Sequence, residues 1–396
     1  EWDEVLNLWN NLNFNGGTPG ASLTPAKGYA VAYATPDQTK SFAGILNVGD
    51  ITIDATYTTE WMQRGYNFIG NPYPTAIGAN LFINENAALL EDIGGGLYFW
   101  DEAANYNGTR WDYSTYTKLG ATIPRPDVPG GSVLNGFIAP CQGFMINVSE
   151  AGPIAFNNAM RVTDEADFFK EGEDKSRIWL SVTGPEGDYN EILVGFFDEG
   201  QEGVDLSDGL KLKGNSQLAF YMLLENNDYV IQGLPEFDLS KAYNIPLGID
   251  AGMAGSYTFS IRKVENFDPS VKFVLEDNLN GTFNELDENQ QYVGLISDQG
   301  EIRSRFILHI NGVTSVPEAP KLNENLVYAA NKQIIVENLN GHNIFEVEVF
   351  NFLGQQTARV SRNSTVVRIN VPGDQKTYIV KVRTENGVES HKLLVN

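Results

Sequence analysis

The sequence predicts an all-β protein: tandem antiparallel β-sandwich domains of jelly-roll or immunoglobulin-like type, followed by a small C-terminal immunoglobulin-like sandwich. Three observations predict it. Apolar and polar residues alternate with period two in one short run after another, the pattern of half-buried strands. The 39 glycines and 17 prolines, with 11% aromatic residues, suit many strands joined by tight turns. Helical periodicity is scarce. One segment, residues 79–93, puts Leu81, Phe82, Leu89 and Leu90 on a common face and stops at Gly94, Gly95 and Gly96. Helix is expected below about 15% of the chain, against about one-third in ordinary globular proteins.

At 396 residues, the chain calls for two or three domains. The expected boundaries are 1–170, 176–314 and 320–396. The first unit holds an internal echo: Pro25, Gly28 and Tyr29 before one strand, Pro140, Gly143 and Phe144 before another. These read as related edges of one sandwich. Asn71-Pro72-Tyr73-Pro74 reads as a rigid turn, since each residue before a proline is pushed to an extended conformation, and one of its X–Pro bonds is a candidate for cis. A polar linker at 170–175 leads to the second unit. Its strands are expected at 177–182, 191–197, 219–223, 229–231, 242–246, 256–261, 271–275 and 305–310. Such close spacing with almost no helix suggests a sandwich.

The third unit begins after Pro317 and Pro320 and changes sign of charge. Residues 320–396 carry nine Lys/Arg against seven Asp/Glu; the remainder carries 18 against 44, and the whole chain is at −24. Strands are expected at 331–336, 345–352, 366–371, 378–383 and 390–395, with turns at Leu353-Gly354-Gln355 and Glu385-Asn386-Gly387. The order V-x-V-F-N-x-x-G-Q at 347–355, Y-I-V-K-V at 378–382 and a basic Lys392 before an apolar end resembles the C-terminal sorting domain of the type IX secretion system. That resemblance implies export across the outer membrane of a Gram-negative bacterium, with the secretion machinery as partner of this unit.

The body before it is similar to large, mostly uncharacterised adhesin-like surface proteins exported by the same system. The shared order is K-G-Y at 27–29, F-x-G-x-L-N-x-G at 42–49, N-F-I-G-N-P-Y-P at 67–74 and Q-G-F at 142–144. It continues with D-x-x-D-G-x-K at 205–211, L-P at 234–235, I-P-L-G at 245–248, L-E-D at 275–277 and R-F at 305–306. The resemblance implies an extracellular or outer-surface location reached through the periplasm, and no defined reaction.

Charge excludes some classes. A net −24 opposes nucleic acid and anionic bilayers, whose phosphates would repel it. No run approaches the roughly 20 apolar residues of a membrane-spanning helix. The acidic start at Glu1 shows no leader, so an exported form is expected to have lost one. With one cysteine, Cys141, no intrachain disulfide is available; following Pro140 and preceding a strand, it reads as a buried, inert thiol.

Catalytic signatures are missing. His309, His342 and His391 lack metal-site spacing, no nucleophile elbow or Walker loop occurs, and the Gly94–Gly96 run is a turn without the Lys-Ser/Thr of a phosphate cradle. The chain is therefore read as a binding protein, not an enzyme. Its rivals are a carbohydrate hydrolase with two carboxylates, Asp101 and Glu102 being the pair to inspect, and a structural surface-layer component. The binding candidate is an aromatic cluster on the 98–116 hairpin. Trp100, Tyr106, Trp111 and Tyr113 would stack on a sugar or anchor a surface protein, with Asp101, Asn105, Arg110 and Asp112 for hydroxyls. Alternation sends Phe99 inward and Trp100 to solvent; the competing reading has the rings fill the sandwich core. A weaker candidate is the acidic loop with Asp198, Asp205 and Asp208. Carboxylates and Gly209 would suit calcium there, and no other cofactor is called for; the alternative is a plain loop with Asp208 paired to Lys211.

Overall fold

The computed structural model describes residues 1–10, 23–31, 44–59, 64–101, 112–125, 134–162, 175–224, 227–311, 325–330, 332–338, 343–351, 355–371, 376–384 and 387–395. Strands dominate and helices are few, so the all-β class holds. The chain forms two compact units, Glu1–Val316 and Pro317–Asn396.

The first unit opens with a ribbon of β1 (Trp2–Asp3) and β2 (Leu8–Trp9), anchored where Trp2 Nε1 donates to the Tyr66 carbonyl at 2.6 Å. There follow β3 (Ile51–Ala55), β4 (Tyr66–Gly70), β5 (Ile77–Gly78), helices α1 (Ala79–Glu85) and α2 (Ala87–Leu90), β6 (Leu97–Asp101), β7 (Asp112–Thr117), β8 (Gly120–Thr122), β9 (Phe137–Ile138), β10 (Gly143–Asn147) and β11 (Gly152–Phe156). Among the described residues, one sheet runs β4-β10-β6-β7-β8, with β3–β11 and β5–β9 as separate pairs. Ile69, Leu97, Phe99, Phe144 and Ile146 from one face of the sheet pack on Phe82 of α1 to form a core. On the other face Tyr66, Tyr98 and Met145 pack with Trp2, Phe68 and Leu210.

The helical segment lies where its periodicity placed it. Phe82, Leu89 and Leu90 are buried, a 3₁₀ turn at Glu91–Ile93 closes it, and Gly94 stops it at φ 93°. Asn86 breaks the segment into two. Its Nδ2 donates to the Phe82 and Ala155 carbonyls while its Oδ1 accepts from Ala155 N at 2.7 Å, pinning the helix to β11.

The internal echo is a structural one. Lys27 N donates to Thr24 O and Gln142 N to Ala139 O, closing two turns with proline at the second position. The third position is left-handed in both, Ala26 at φ 65° and Cys141 at φ 60°, where type II turns favour glycine. Both turns lead to β4 from opposite sides: Lys27 bridges Ile69, and Gly143 of β10 pairs Gly70. A Cβ on Gly28 or on Gly143 would press on the same Phe68 ring. All X–Pro bonds of Asn71–Pro74 are trans. That turn is held by Asn71, whose Nδ2 donates to Thr75 O and Ile138 O, and by the Tyr73 hydroxyl, which donates to Gly49 O at 2.6 Å.

The second half of this unit contains β12 (Ser176–Thr183), β13 (Tyr189–Phe196), β14 (Gly209–Leu210), β15 (Leu218–Leu224), β16 (Asn227–Leu234), β17 (Tyr243–Ala251), β18 (Gly255–Glu265), β19 (Phe273–Asp277), β20 (Thr282–Leu286), β21 (Tyr292–Ile296) and β22 (Gly300–Ile310). The hydrogen-bond order is continuous, β20-β19-β22-β17-β15-β16-β13-β12-β18-β21, with β14 alongside β16. This is one nearly closed, barrel-like sheet, and β13–β16 is a parallel pair within it. Its far ends are laced by side chains. Arg305 of β22 grips Asp277 of β19 through two hydrogen bonds, Nε to Oδ1 at 2.8 Å and Nη2 to Oδ2 at 2.7 Å. Its Nη1 donates to Leu295 O of β21 at 2.7 Å, and the Tyr292 hydroxyl donates to Asp277 Oδ2 at 2.6 Å. The L-E-D and R-F motifs thus supply a clasp across the sheet.

The two halves share a core. Leu119, from the β7–β8 turn, is 1% exposed among the residues of the barrel-like sheet, and a Cβ on Gly195 would collide with it. Trp179 Nε1 donates to Ala121 O, and buried Glu191 accepts from Ile123 N while Arg262 grips it with two nitrogens. Residues 163–174, where the joint between the halves was expected, lie outside the described residues.

The second unit pairs β23 (Asn325–Ala330), β24 (Gln333–Asn338) and β27 (Val366–Asn370) in one sheet. β26 (Gln356–Ser364), β25 (Ile344–Asn351), β28 (Lys376–Thr384) and β29 (Gly387–Val395) form the other. Ile334 and Val336 from the first sheet meet Val347, Val349, Val380 and Val382 from the second, the two-sheet packing expected of this segment.

Candidate binding site on the β6–β7 hairpin

The hairpin register sets the site. Phe99 lies opposite Ser114, Trp100 opposite Tyr113, and Asp101 opposite Asp112. Period-two alternation divides these pairs between the faces of the sheet. Phe99 is buried and stacks on Phe144, ring centroids 5.5 Å apart. Trp100 is 45% exposed and meets Tyr113 edge-on at 5.0 Å. Burial, helped by the charge of Asp112, pushes the Tyr113 hydroxyl up to about 12. Tyr106, Arg110 and Trp111, with Glu102 and Asn105, lie outside the described residues.

The two acidic residues differ in their surroundings. Asp112 is fully committed to structure: Oδ2 meets Lys211 Nζ at 3.2 Å and accepts from Asn190 Nδ2 at 2.7 Å, while Oδ1 accepts from Tyr113 N and Gly214 N. The carboxylate expected to meet sugar hydroxyls has both oxygens engaged within the fold. Asp101 is buried but lightly held; among the described residues its partner is Arg125, 3.7 Å away. It lines a cleft of ≈ 230 Å³ with Phe99, Trp100, Ser114, Leu134, Asn135, Phe137, Ala139 and Gln142. Arg125, Asn135, Phe137 and the Ser114 hydroxyl were not singled out in the sequence. Only strand alternation, which places Ser114 on the face of Asp101, carried a signal for any of them.

The acidic loop is an interlock. Asp198 is exposed. Asp205 Oδ1 accepts from Ser207 N and Oδ2 from Gln201 N; Asp208 Oδ2 accepts from Asp205 N at 2.7 Å and Oδ1 from Gly233 N at 2.8 Å. Oxygens expected to face a cation are thus taken by backbone N–H groups. Among the described residues no three His, Cys, Asp or Glu side chains gather as a metal would need. Burial pushes the Asp208 carboxyl up to about 8 against the pull of its two N–H donors. Lys211 pairs with Asp112 and not with Asp208. Gly94 and Gly95 let the helix-ending turn approach the backbone of this loop: a Cβ on Gly94 would lie 2.6 Å from the Asp208 carbonyl oxygen, and one on Gly95 would collide with that of Leu206.

Cys141 is exposed, in the loop between β9 and β10 and not within a strand, so the expected burial does not hold. His309 is bracketed by Asn244 and Glu276, each at 2.7 Å.

Comparisons with known proteins place these features in a family. Residues 1–310 match the family described as "Domain of unknown function (DUF8693)". A curated relative, the minor fimbrium subunit Mfa5 of Porphyromonas gingivalis, is 23% identical over 347 residues. The match takes in 77% of this chain, which spans about a quarter of the relative's length (26%). An alignment with a solved "Biofilm associated protein - BSP domain" covers 92% of this chain and 99% of that one at 5% identity and a TM-score of 0.15, too low to carry a fold relationship.

Proposed function

From the premise that the chain belongs to the DUF8693 family, we propose that it is an adhesin-like protein of the bacterial cell surface, delivered there through its C-terminal unit. The observation that carries the reading is the likeness of most of the chain to a protein named as a fimbrium subunit. The second unit supports the delivery half. It is a compact sandwich of its own, follows the motif order of a type IX sorting domain, and has the opposite charge sign to the body. Its partner is the secretion machinery. The partner of the body is a glycan or a surface protein, met at the β6–β7 hairpin where Trp100 stands in solvent. The reading is one of binding and not of turnover, since Asp112, which faces Asp101, has its oxygens engaged by Lys211, Asn190 and backbone N–H groups. Among the described residues no helix is long and apolar enough to cross a membrane.

Two measurements test it. In a host with the type IX apparatus, antibody staining of intact cells should detect the full chain and lose it when 321–396 are deleted; equal staining removes the sorting role. Beads coated with the full chain should retain cells that bare beads do not, and equal retention removes the adhesin role.

A further inference from the structure

We propose that the cleft beside Asp101 is a binding site for one neutral pyranose ring, such as the terminal sugar of a glycan. The inference rests on the reading of the chain as a surface binding protein and names the chemistry that one of its sites accepts. The cleft lining is divided. Phe99, Leu134, Phe137 and Ala139 offer apolar surface, while Asp101, Ser114, Asn135 and Gln142 offer hydrogen-bonding groups. A sugar ring is divided in the same way, with C–H faces to cover apolar side chains and hydroxyls around its rim. The volume of ≈ 230 Å³ lies below the roughly 300–1,000 Å³ of pockets for drug-sized ligands, which suits a single ring.

The second observation is unmet hydrogen bonding at this place. Among the described residues Ser114 is wholly buried and its Oγ has no hydrogen-bond partner; beside Asp101, Nε of Arg125 has none either, and Nη2 has only the long 3.7 Å ion pair to Asp101 Oδ1. Buried polar groups are nearly always paired, and an exception asks for an explanation. A polyol that donates to the Asp101 carboxylate and accepts from neighbouring donors supplies one. Charge selects within that class. Asp101 and Arg125 offset one another, so neither an anion nor a cation gains net Coulomb energy, and the acidic body repels anions further.

The test uses the full chain and saturation-transfer NMR with titration calorimetry. The probes are methyl pyranosides of mannose, galactose, glucose and N-acetylglucosamine, with N-acetylneuraminic acid and glucosamine as charged controls. At least one neutral pyranoside should bind saturably and more tightly than both charged sugars. Asn135→Ala and Gln142→Ala, changes at exposed positions that spare the core, should each weaken it about three- to tenfold, the worth of a neutral hydrogen bond. Val293→Ala, at an exposed position of β21 in the barrel-like sheet, should not. Absence of binding by every neutral pyranoside overturns the proposal, as does preference for a charged sugar. Indifference to both cleft substitutions overturns it whatever Val293→Ala does. Failure here is separable from failure of the surface reading: cell retention by coated beads that persists in excess pyranoside removes the sugar site and leaves an adhesin with a protein partner.

Discussion

Lys211 Nζ lies 3.2 Å from Asp112 Oδ2, with the two side chains 4% and 3% exposed. Lys211 ends the D-x-x-D-G-x-K run beside β14, and Asp112 begins β7, so this ion pair joins the two halves of the first unit. Thr117 Oγ1, which donates to Ser207 O at 2.8 Å, and Gly209, pressed between Thr115 and Thr117, tighten the same seam. The first prediction follows from the burial. Lys211→Met leaves a buried carboxylate with Asn190 and backbone N–H groups alone, and should cost about 3–5 kcal/mol in denaturant unfolding. Adding Asp112→Leu should recover a large part of it, because the unpaired charge is then gone. A Lys211→Met protein as stable as the parent would show that the pair is solvated.

The second prediction concerns pH. Asp208 is buried in the same loop, and burial raises its carboxyl from 3.8 to about 8 in spite of the Asp205 and Gly233 N–H donors. The native state therefore binds this proton more tightly than the unfolded chain does. The associated stability is complete below pH 3.8 and is lost as pH rises through about 8. Asp208→Asn cannot titrate. Its melting temperature should fall less than that of the parent between pH 5 and pH 8, even if its amide fits the two donors less well. Parallel curves for the two proteins would place the Asp208 carboxyl in its ordinary range.

The sequence made local features legible and left distant pairings hidden. Alternation found the strands, placed Phe99 inside and Trp100 outside, and marked the 79–93 helix, because each of these depends on neighbours a few residues away. The echo of Pro25–Gly28 in Pro140–Gly143 was legible for the same reason, and it became two like turns around one Phe68. The partners of Asp208, Lys211 and Arg305 were not legible. Asp208 reaches Gly233, Lys211 reaches Asp112 and Arg305 reaches Asp277, choices made by sheet order and not by spacing. An acidic run with a glycine looks alike whether it awaits a cation or binds backbone N–H groups. Cys141 misled because residue type argues for burial, whereas the position of its turn in the fold decides exposure: Ala26, at the same place in the like turn, is buried.

The third prediction tests the sheet clasp. Burial alone would raise the Asp277 carboxyl, yet hydrogen bonds from Arg305 and Tyr292 hold it below the ordinary range. Arg305→Lys keeps the charge but loses the planar fork that reaches Asp277 twice and Leu295 once. Backbone amides of β21 should then exchange with deuterium faster, while those of β12 and β13, in the middle of the sheet, keep their protection. Unchanged exchange in β21 would mean that its pairing to β18 suffices.

The fourth prediction is that a protein ending at Val316 keeps a cooperative melt close to that of the body in the full chain, because Pro317–Asn396 has its own two-sheet core of Ile334, Val336, Val347, Val349, Val380 and Val382. Calorimetry of the shortened and full chains would check this. A shortened protein that no longer melts cooperatively would make the C-terminal unit part of the body's folding.

The last prediction separates binding from stability on the hairpin. Trp100 and Phe99 are adjacent in β6 yet 45% and 6% exposed. Phe99→Ala removes a ring stacked on Phe144 and should cost about 3–5 kcal/mol, the usual penalty for emptying an aromatic core position. Trp100→Ala removes a ring that is 45% exposed and should shift the melting temperature less than Phe99→Ala does. If the exposed indole anchors a surface partner, the same change should weaken that partner by about 2 kcal/mol or more, as at interface hot spots. Cell retention by beads coated with the Trp100→Ala chain reads the binding effect, and thermal unfolding of both variants reads the other. An early-melting Trp100→Ala protein would make the indole part of the fold and withdraw it as an anchor. An unchanged melt with unchanged retention would leave the other residues of the Asp101 cleft, which Trp100 also lines, as the place where the hairpin meets its ligand.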